Sequence, residues 1–254
     1  WGAAMIFASK DRIESSTAKG WWGTETLDQL FLSKVVSAPD HTAVIDPDNR
    51  DDITHGKAQR LSYRDLNRKV TEAAEQFIKR GVVKDDIVVF QLPNIHESIV
   101  MILACSRVGA LASPILVDFA DHELNQIIGH VKPKLFVTVN QFKSRDLLAA
   151  AKPICQKHDV SLVCVDDLGQ SFSEFQIEAA EKTIASHQVR NALTANDVNT
   201  ICWTSGTEGF PKAVMRTHNQ WMVTGKAMTA SASIRDGDVI LNARPLVNMA
   251  AIGG

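Results

Sequence analysis

Thr204 to Lys212 read T-S-G-T-E-G-F-P-K: small hydroxyl residues, two glycines, a proline and a lysine within nine positions. Thr200-Ile201-Cys202-Trp203 precede them and Ala213-Val214-Met215-Arg216-Thr217 follow, both β-rich, so the stretch is expected to be a loop joining two strands. Gly206 and Gly209 open backbone conformations closed to residues with a Cβ, and successive N–H groups in such a loop can face one concavity that suits an anion. Thr204, Ser205 and Thr207 add hydroxyl donors and Lys212 a mobile positive charge, a combination that fits a polyphosphate. The dinucleotide fingerprint is absent because the spacing is G-T-E-G, and a Walker loop is absent because Phe210 and Pro211 separate Gly209 from Lys212. A polar hairpin loop without a ligand is the competing reading, since Ser, Thr, Gly and Pro are ordinary turn residues.

Working outward, short apolar strands alternate with helices. Ser62 is a helix N-cap with Asp65 three residues on, Leu66, Val70, Ala73, Ala74, Phe77 and Ile78 recur at helical spacing, and Gly81 stops the helix. Asp86–Leu92 reads as a buried strand, Ile95–Arg107 as a mostly buried helix, and Leu111–Val117 as the next strand. A short helix is expected over Asp121–His130, a strand over Leu135–Val139, a helix over Lys143–His158 with a break at Pro153, and a strand over Ser161–Val165. Residues 1–57 carry one expected helix, around Glu25–Val36. This alternation is what βαβ crossovers leave in a sequence, so the fold class is α/β, with largely parallel sheets flanked by helices. The character changes over Gly169–Asn196, and a subdomain boundary is placed near residues 185–197: an N-terminal subdomain over 1–190, and the start of a second over 191–254 that carries the loop.

With 254 residues, 45% apolar and 22% charged, the chain can bury a sizeable core. Lys plus Arg total 27 against 29 for Asp plus Glu, a net charge of -2, which argues against nucleic acid as a partner. Cys105, Cys155, Cys164 and Cys202 form no paired spacing and read as reduced, buried thiols. His96, His122, His130 and His158 lie at unrelated spacings without a metal-ligand pattern. The apolar tract Ile99–Val117 is interrupted by Arg107, Gly109 and Pro114, so no membrane span is expected, and Arg107 either snorkels or pairs. Asp166-Asp167 and Glu178–Glu181 read as solvated acidic surface. No secretory signal is evident, and cytoplasm is the expected location. The start at Trp1 and the stop at Gly253-Gly254 lead to the expectation of an excerpt from a longer protein.

The segment T-S-G-T-E-G-F-P-K-A-V-M-R-T-H-N resembles the phosphate-binding signature of the adenylate-forming superfamily, T-S-G-T-T-G-x-P-K-G-V followed by T-H or S-H and often Asn. Glu208 replaces the second Thr and Ala213 the last Gly. L-S-Y-R-D-L-N, D-D-I-V-V-F-Q-L-P-N, R-V-G-A and A-S-P-I-L-V resemble successive landmarks of the N-terminal acyl-CoA synthetase region, and stretches near residues 20 and 140 resemble the cyclohexanecarboxylate-CoA ligase-like branch. Pro245-Leu246-Val247-Asn248 stands where that family has P-L-x-H near the acyl pocket, with Asn248 in place of His.

The resemblance implies the N-terminal portion of the acyl-CoA synthetase-like fold and a ligase of fatty acid or related acid metabolism. Such an enzyme joins a carboxylic acid to the α-phosphate of ATP, then passes the acyl group to CoA. Thr204, Ser205, Gly206, Thr207, Glu208, Gly209 and Lys212 would bind ATP, Thr207 would contact Mg2+, and Asn248 would line the acid pocket. The family's adenine-contacting segment, metal-binding Glu, ribose-binding Asp and C-terminal catalytic Lys all follow this stretch, so no catalytic residue is assignable and the fragment alone is expected to be inactive. A peptide-synthetase adenylation domain, a fatty acyl-AMP ligase and a non-catalytic nucleotide-binding or partner module are the alternatives; oligomeric state is not indicated.

Overall fold

Ser62 starts a helix through a reciprocal cap: its hydroxyl accepts from the Asp65 amide at 3.1 Å and the Asp65 carboxylate accepts from the Ser62 amide at 3.2 Å. Two of the N–H groups that a helix start leaves unpaired are thereby satisfied. The helix buries Leu66, Val70, Ala73, Ala74 and Phe77 along one face and ends before Gly81, whose φ of +75° lies in the left-handed region open to glycine.

The computed structural model describes residues 8–168, 176–204 and 211–252. The chain opens with α1 (Lys10–Ala18), α2 (Leu27–Ser37), β1 (Thr42–Ile45), α3 (Arg50–Thr54), β2 (Arg60–Ser62) and the helix just described, α4 (Tyr63–Lys79). Then come β3 (Ile87–Gln91), α5 (His96–Val108), β4 (Leu111–Ile115), α6 (Asp121–Val131) and β5 (Leu135–Thr138). β6 (Gln141–Phe142), β7 (Arg145–Asp146), α7 (Leu147–His158), β8 (Ser161–Cys164), α8 (Val165–Leu168) and α9 (Ile177–Arg190) follow. The last elements are β9 (Val198–Thr204), β10 (Lys212–Thr217), α10 (His218–Ser231) and α11 (Met249–Ile252).

Six strands form one sheet in the order β10-β9-β4-β3-β5-β8, with every pairing parallel except β9 with β10. Strand alternation sends Val88 and Phe90 of β3 and Leu135 and Val137 of β5 to one face, where α4 and α5 supply Phe77, Met101 and Ala104. Val89 and Phe136 point to the other face, against Leu124, Ile127 and Ile128 of α6 and Ala151 and Ile154 of α7. Burial on both faces explains why these strands read as continuous apolar runs. β9 and β10, which follow the division expected at residue 190, hydrogen-bond into this same sheet.

Arg107 pairs rather than snorkels. It is 4% exposed; its Nε donates to Asp28 Oδ1 at 3.0 Å, and its terminal nitrogens donate to Thr71 Oγ1 at 2.8 Å and Asn67 Oδ1 at 2.9 Å. The guanidinium therefore joins α2, α4 and α5 at one point. The stretch 141–158 differs from expectation in two ways. The helix expected from Lys143 begins only at Leu147, because residues 141–146 fold back as the β6–β7 hairpin and Asp146 caps the helix through the Ala149 amide. Pro153 does not break it: it is the seventh residue of α7, ahead of Ile154 and Cys155, both buried. The charged stretch after residue 176 is a helix, α9, held by long-range bonds: His187 Nε2 donates to the Val108 carbonyl and Gln188 Nε2 to the Arg107 carbonyl, satisfying the free end of α5. The tract Ile99–Val117 resolves into α5, a turn at Gly109 and β4, and among the described residues no helix is long and apolar enough to cross a membrane.

Candidate functional site

The β-rich runs around the nine-residue stretch pair as an antiparallel hairpin, with Thr204 opposite Lys212, Trp203 opposite Ala213 and Cys202 opposite Val214. Ser205, Gly206, Thr207, Glu208 and Gly209 lie outside the described residues. Thr204 and Lys212 close the stem beneath them, where the Thr204 hydroxyl donates to the Lys212 carbonyl at 3.4 Å. Lys212 is exposed at the first position of β10, so its ammonium group serves no packing role in the core.

The stem is fixed from below. Trp203 Nε1 donates to Ser113 Oγ of β4 at 2.9 Å, and Trp221 Nε1 donates to Thr200 Oγ1 at 2.9 Å, with the Arg216 guanidinium 5.7 Å from the Trp221 ring. The T-H-N triplet where β10 passes into α10 is an anchor. Thr217 caps α10 with Gln220 in a reciprocal box. The Asn219 amide grips Gly23 from both sides, Oδ1 accepting from its N–H at 2.9 Å and Nδ2 donating to its carbonyl at 3.0 Å. His218 Nδ1 accepts from the Leu27 amide at 3.2 Å. Nothing in local spacing announces Asn219 or its partner 196 residues away.

Burial pushes the His218 imidazole from 6.5 down to about 4, and the bond from Leu27 needs the Nδ1 lone pair, so the ring is neutral in the fold. In the unfolded chain the same ring takes a proton near pH 6.5. Stability held above that pH is therefore lost as pH falls toward 4, by about 2 kcal/mol between pH 7 and pH 5. Urea midpoints at the two pH values should show this fall in the wild type, and His218→Gln should flatten it; equal pH profiles would contradict a neutral buried ring.

A second cluster went unread in the sequence. Asp46 Oδ1 accepts from the His96 amide at 2.8 Å and Asp46 Oδ2 lies 2.8 Å from His96 Nδ1; Arg50 contacts Asp46, His96 Nδ1 at 2.7 Å, and Glu97. Burial raises the Asp46 carboxyl, but its bonds to His96 and Arg50 outweigh that and bring it down to about 2. Asp46, His96 and Glu97 bring metal-ligating atoms within 4.8 Å of one another. The guanidinium already stands among them, and a divalent cation beside it would be repelled, so this is an ion-pair knot. The i,i+4 spacing of Asp46 and Arg50 was legible; the partners some 50 residues on were not.

Asn248 is exposed just ahead of α11, its amide donating to the Pro245 carbonyl at 2.9 Å. The described cysteines are free and buried, and burial raises the thiols of Cys105, Cys155 and Cys202, which makes them poor nucleophiles at neutral pH.

Residues 31–253 match the family described as AMP-binding enzyme. The chain is 26% identical over 240 residues to the medium-chain fatty-acid–CoA ligase of Escherichia coli (strain K12), covering 94% of this chain and 41% of that protein. It is 31% identical over 210 residues to acyl-CoA synthetase short-chain family member 3, mitochondrial, of Rattus norvegicus, covering 74% and 29%. The chain thus spans well under half the length of these relatives. The apo structure of Mycobacterium smegmatis MbtA superposes with a TM-score of 0.73 at 21% identity, over 95% of this chain and 43% of that one, a likeness of fold. A match that runs through nearly all the described elements, including the hairpin and the strands it joins, leads to one conclusion: the chain belongs to the AMP-binding enzyme family.

Proposed function

We propose that the whole protein activates a carboxylic acid with ATP and transfers the acyl group to CoA. A carboxylate oxygen attacks the α-phosphorus, the bond to the bridging oxygen breaks and pyrophosphate leaves; the CoA thiol then displaces AMP from the acyl-adenylate, losing its proton. Two anions must meet in the first step, so oriented N–H donors and positive charge have to offset their repulsion as charge builds. Ser205, Thr207, Lys212 and the backbone around Gly206 and Gly209 are assigned to the β- and γ-phosphates, with Thr204 and Glu208 completing the ATP-binding stretch; they position ATP without acting as nucleophiles, and the Glu208 carboxylate must point away from the phosphates or meet the metal. Thr207, which would contact Mg2+, lies outside the described residues. Asn248 is assigned to the acid pocket.

The reading rests on the antiparallel stem that sets Thr204 opposite Lys212, in a chain of this family. Medium-chain, alicyclic and aromatic acids are the proposed substrate class. Acid-dependent exchange of labelled pyrophosphate into ATP by the whole protein tests it. Exchange with at least one such acid is expected; ATP binding without exchange for any acid would return the protein to a nucleotide-binding module.

A further inference from the structure

We propose that Asn94 is a positioning residue for the acid-binding side of the site, clamping the backbone at Arg244–Leu246 and so setting where Asn248 stands; this rests on the adenylation reading above. Asn94 Nδ2 donates to the Arg244 carbonyl at 2.7 Å, and Asn94 Oδ1 accepts from the Leu246 amide at 2.8 Å. One side chain thus holds both neighbours of Pro245, which has no N–H of its own to offer. The surroundings give this grip its importance. Residues 232–248 run outside helix and strand, and Val239 and Leu241 are 81% and 90% exposed. Backbone in such a segment has few partners, and the side-chain amide supplies the pairing that a neighbouring strand would. From the clamp the chain turns at once: the Pro245 carbonyl accepts from the Asn248 amide, and the Asn248 carbonyl accepts from Ala251 at the start of α11.

Asn94 can position another segment because it is itself held. The Pro93 carbonyl accepts from the Ile95 amide at 2.9 Å and from Ser98 Oγ at 2.7 Å. Two residues after Asn94, His96 is fastened to Asp46 through its backbone amide and its ring, and Arg50 ties Asp46 to Glu97. A buried ion-pair cluster gives little net stability compared with an apolar core, and its several directed bonds fit a role in fixing geometry. It fixes the first turn of α5, and Asn94 is carried on the turn that leads into it.

The test compares Asn94→Ala, which removes both bonds, with Asn94→Asp, which keeps the acceptor for Leu246 and loses the donor to Arg244. Hydrogen exchange of the Leu246 amide in the full chain is expected to quicken about tenfold in Asn94→Ala and less in Asn94→Asp. In pyrophosphate exchange the KM for the acid should rise about tenfold in Asn94→Ala while the KM for ATP moves less than twofold. Unchanged exchange at Leu246 in both variants overturns the clamp. Faster exchange with both KM values rising together, or neither, overturns the positioning role. If the unsubstituted protein shows no pyrophosphate exchange, the adenylation reading fails and the positioning role with it, while the amide exchange still decides the clamp. Asn94→Asp carries the test where Asn94→Ala loses its helical circular dichroism.

Discussion

Replacing Lys212 by alanine in the whole protein is expected to lower acid-dependent pyrophosphate exchange by about 10²–10³-fold, the usual cost of removing one donor aimed at charge that builds in a transition state. Lys212 is the first residue of β10; its backbone pairs with Thr204 through the strand, and its side chain is exposed. Removing the side chain therefore leaves the stem's pairing, the Trp203–Ser113 bond and the Thr217 cap intact. Thermal midpoints should agree within about 1 °C, since exposed substitutions away from caps and cores rarely move stability. Lys212→Arg should recover part of the rate, because it keeps the charge but changes its shape from a compact point to a planar fork. Full exchange activity in Lys212→Ala would remove the lysine from the phosphate site. A parallel loss of stability would point to a structural role instead.

Arg107→Ala is expected to destabilise the fold by about 3–5 kcal/mol, read from urea midpoints at neutral pH. The size follows from what is left behind. Asp28 would keep a buried carboxylate with its cation gone, and Thr71 Oγ1 and Asn67 Oδ1 would each lose a donor in a site where water has little access. The exposed Arg64–Asp40 pair, at 3.0 Å, has comparable geometry and should cost no more than about 1 kcal/mol when broken, because both groups stay hydrated. A double replacement, Arg107→Met with Asp28→Leu, should regain the part of the loss due to the unpaired carboxylate, since apolar groups of similar volume need no partner, while Thr71 Oγ1 and Asn67 Oδ1 still lack their donor. If Arg107→Ala costs as little as the surface pair, the guanidinium does not join the three helices energetically.

The elements that could be read in advance are those whose cause is local. Ser62 and Asp65 are three residues apart and cap each other; Leu66, Val70, Ala73 and Phe77 lie within one stretch of helix and share a face. The runs Ile87–Phe90 and Leu135–Val137 are apolar throughout because both of their faces are covered, and that composition is visible without knowing what covers them. The hairpin stem is of the same kind, two β-rich runs on either side of a stretch rich in glycine and hydroxyl residues. The hairpin at 141–146 and helix α9 were not legible. The former takes its place from contacts with its surroundings rather than from apolar periodicity, and α9 is held by side chains that satisfy carbonyls at the end of a helix some 80 residues earlier.

Family membership, the α/β class and the position of the glycine- and hydroxyl-rich stretch all follow from residue types in a fixed order, because each is written in the sequence within a short span. Partner choice across the chain does not. Arg107 with Asp28, Asn219 with Gly23, Asn94 with Arg244 and Leu246, and the Asp46–His96 pair join residues 50 to 196 positions apart. Each depends on which elements the sheet brings side by side, and polar groups become committed to one partner only when folding removes the water that would otherwise satisfy them.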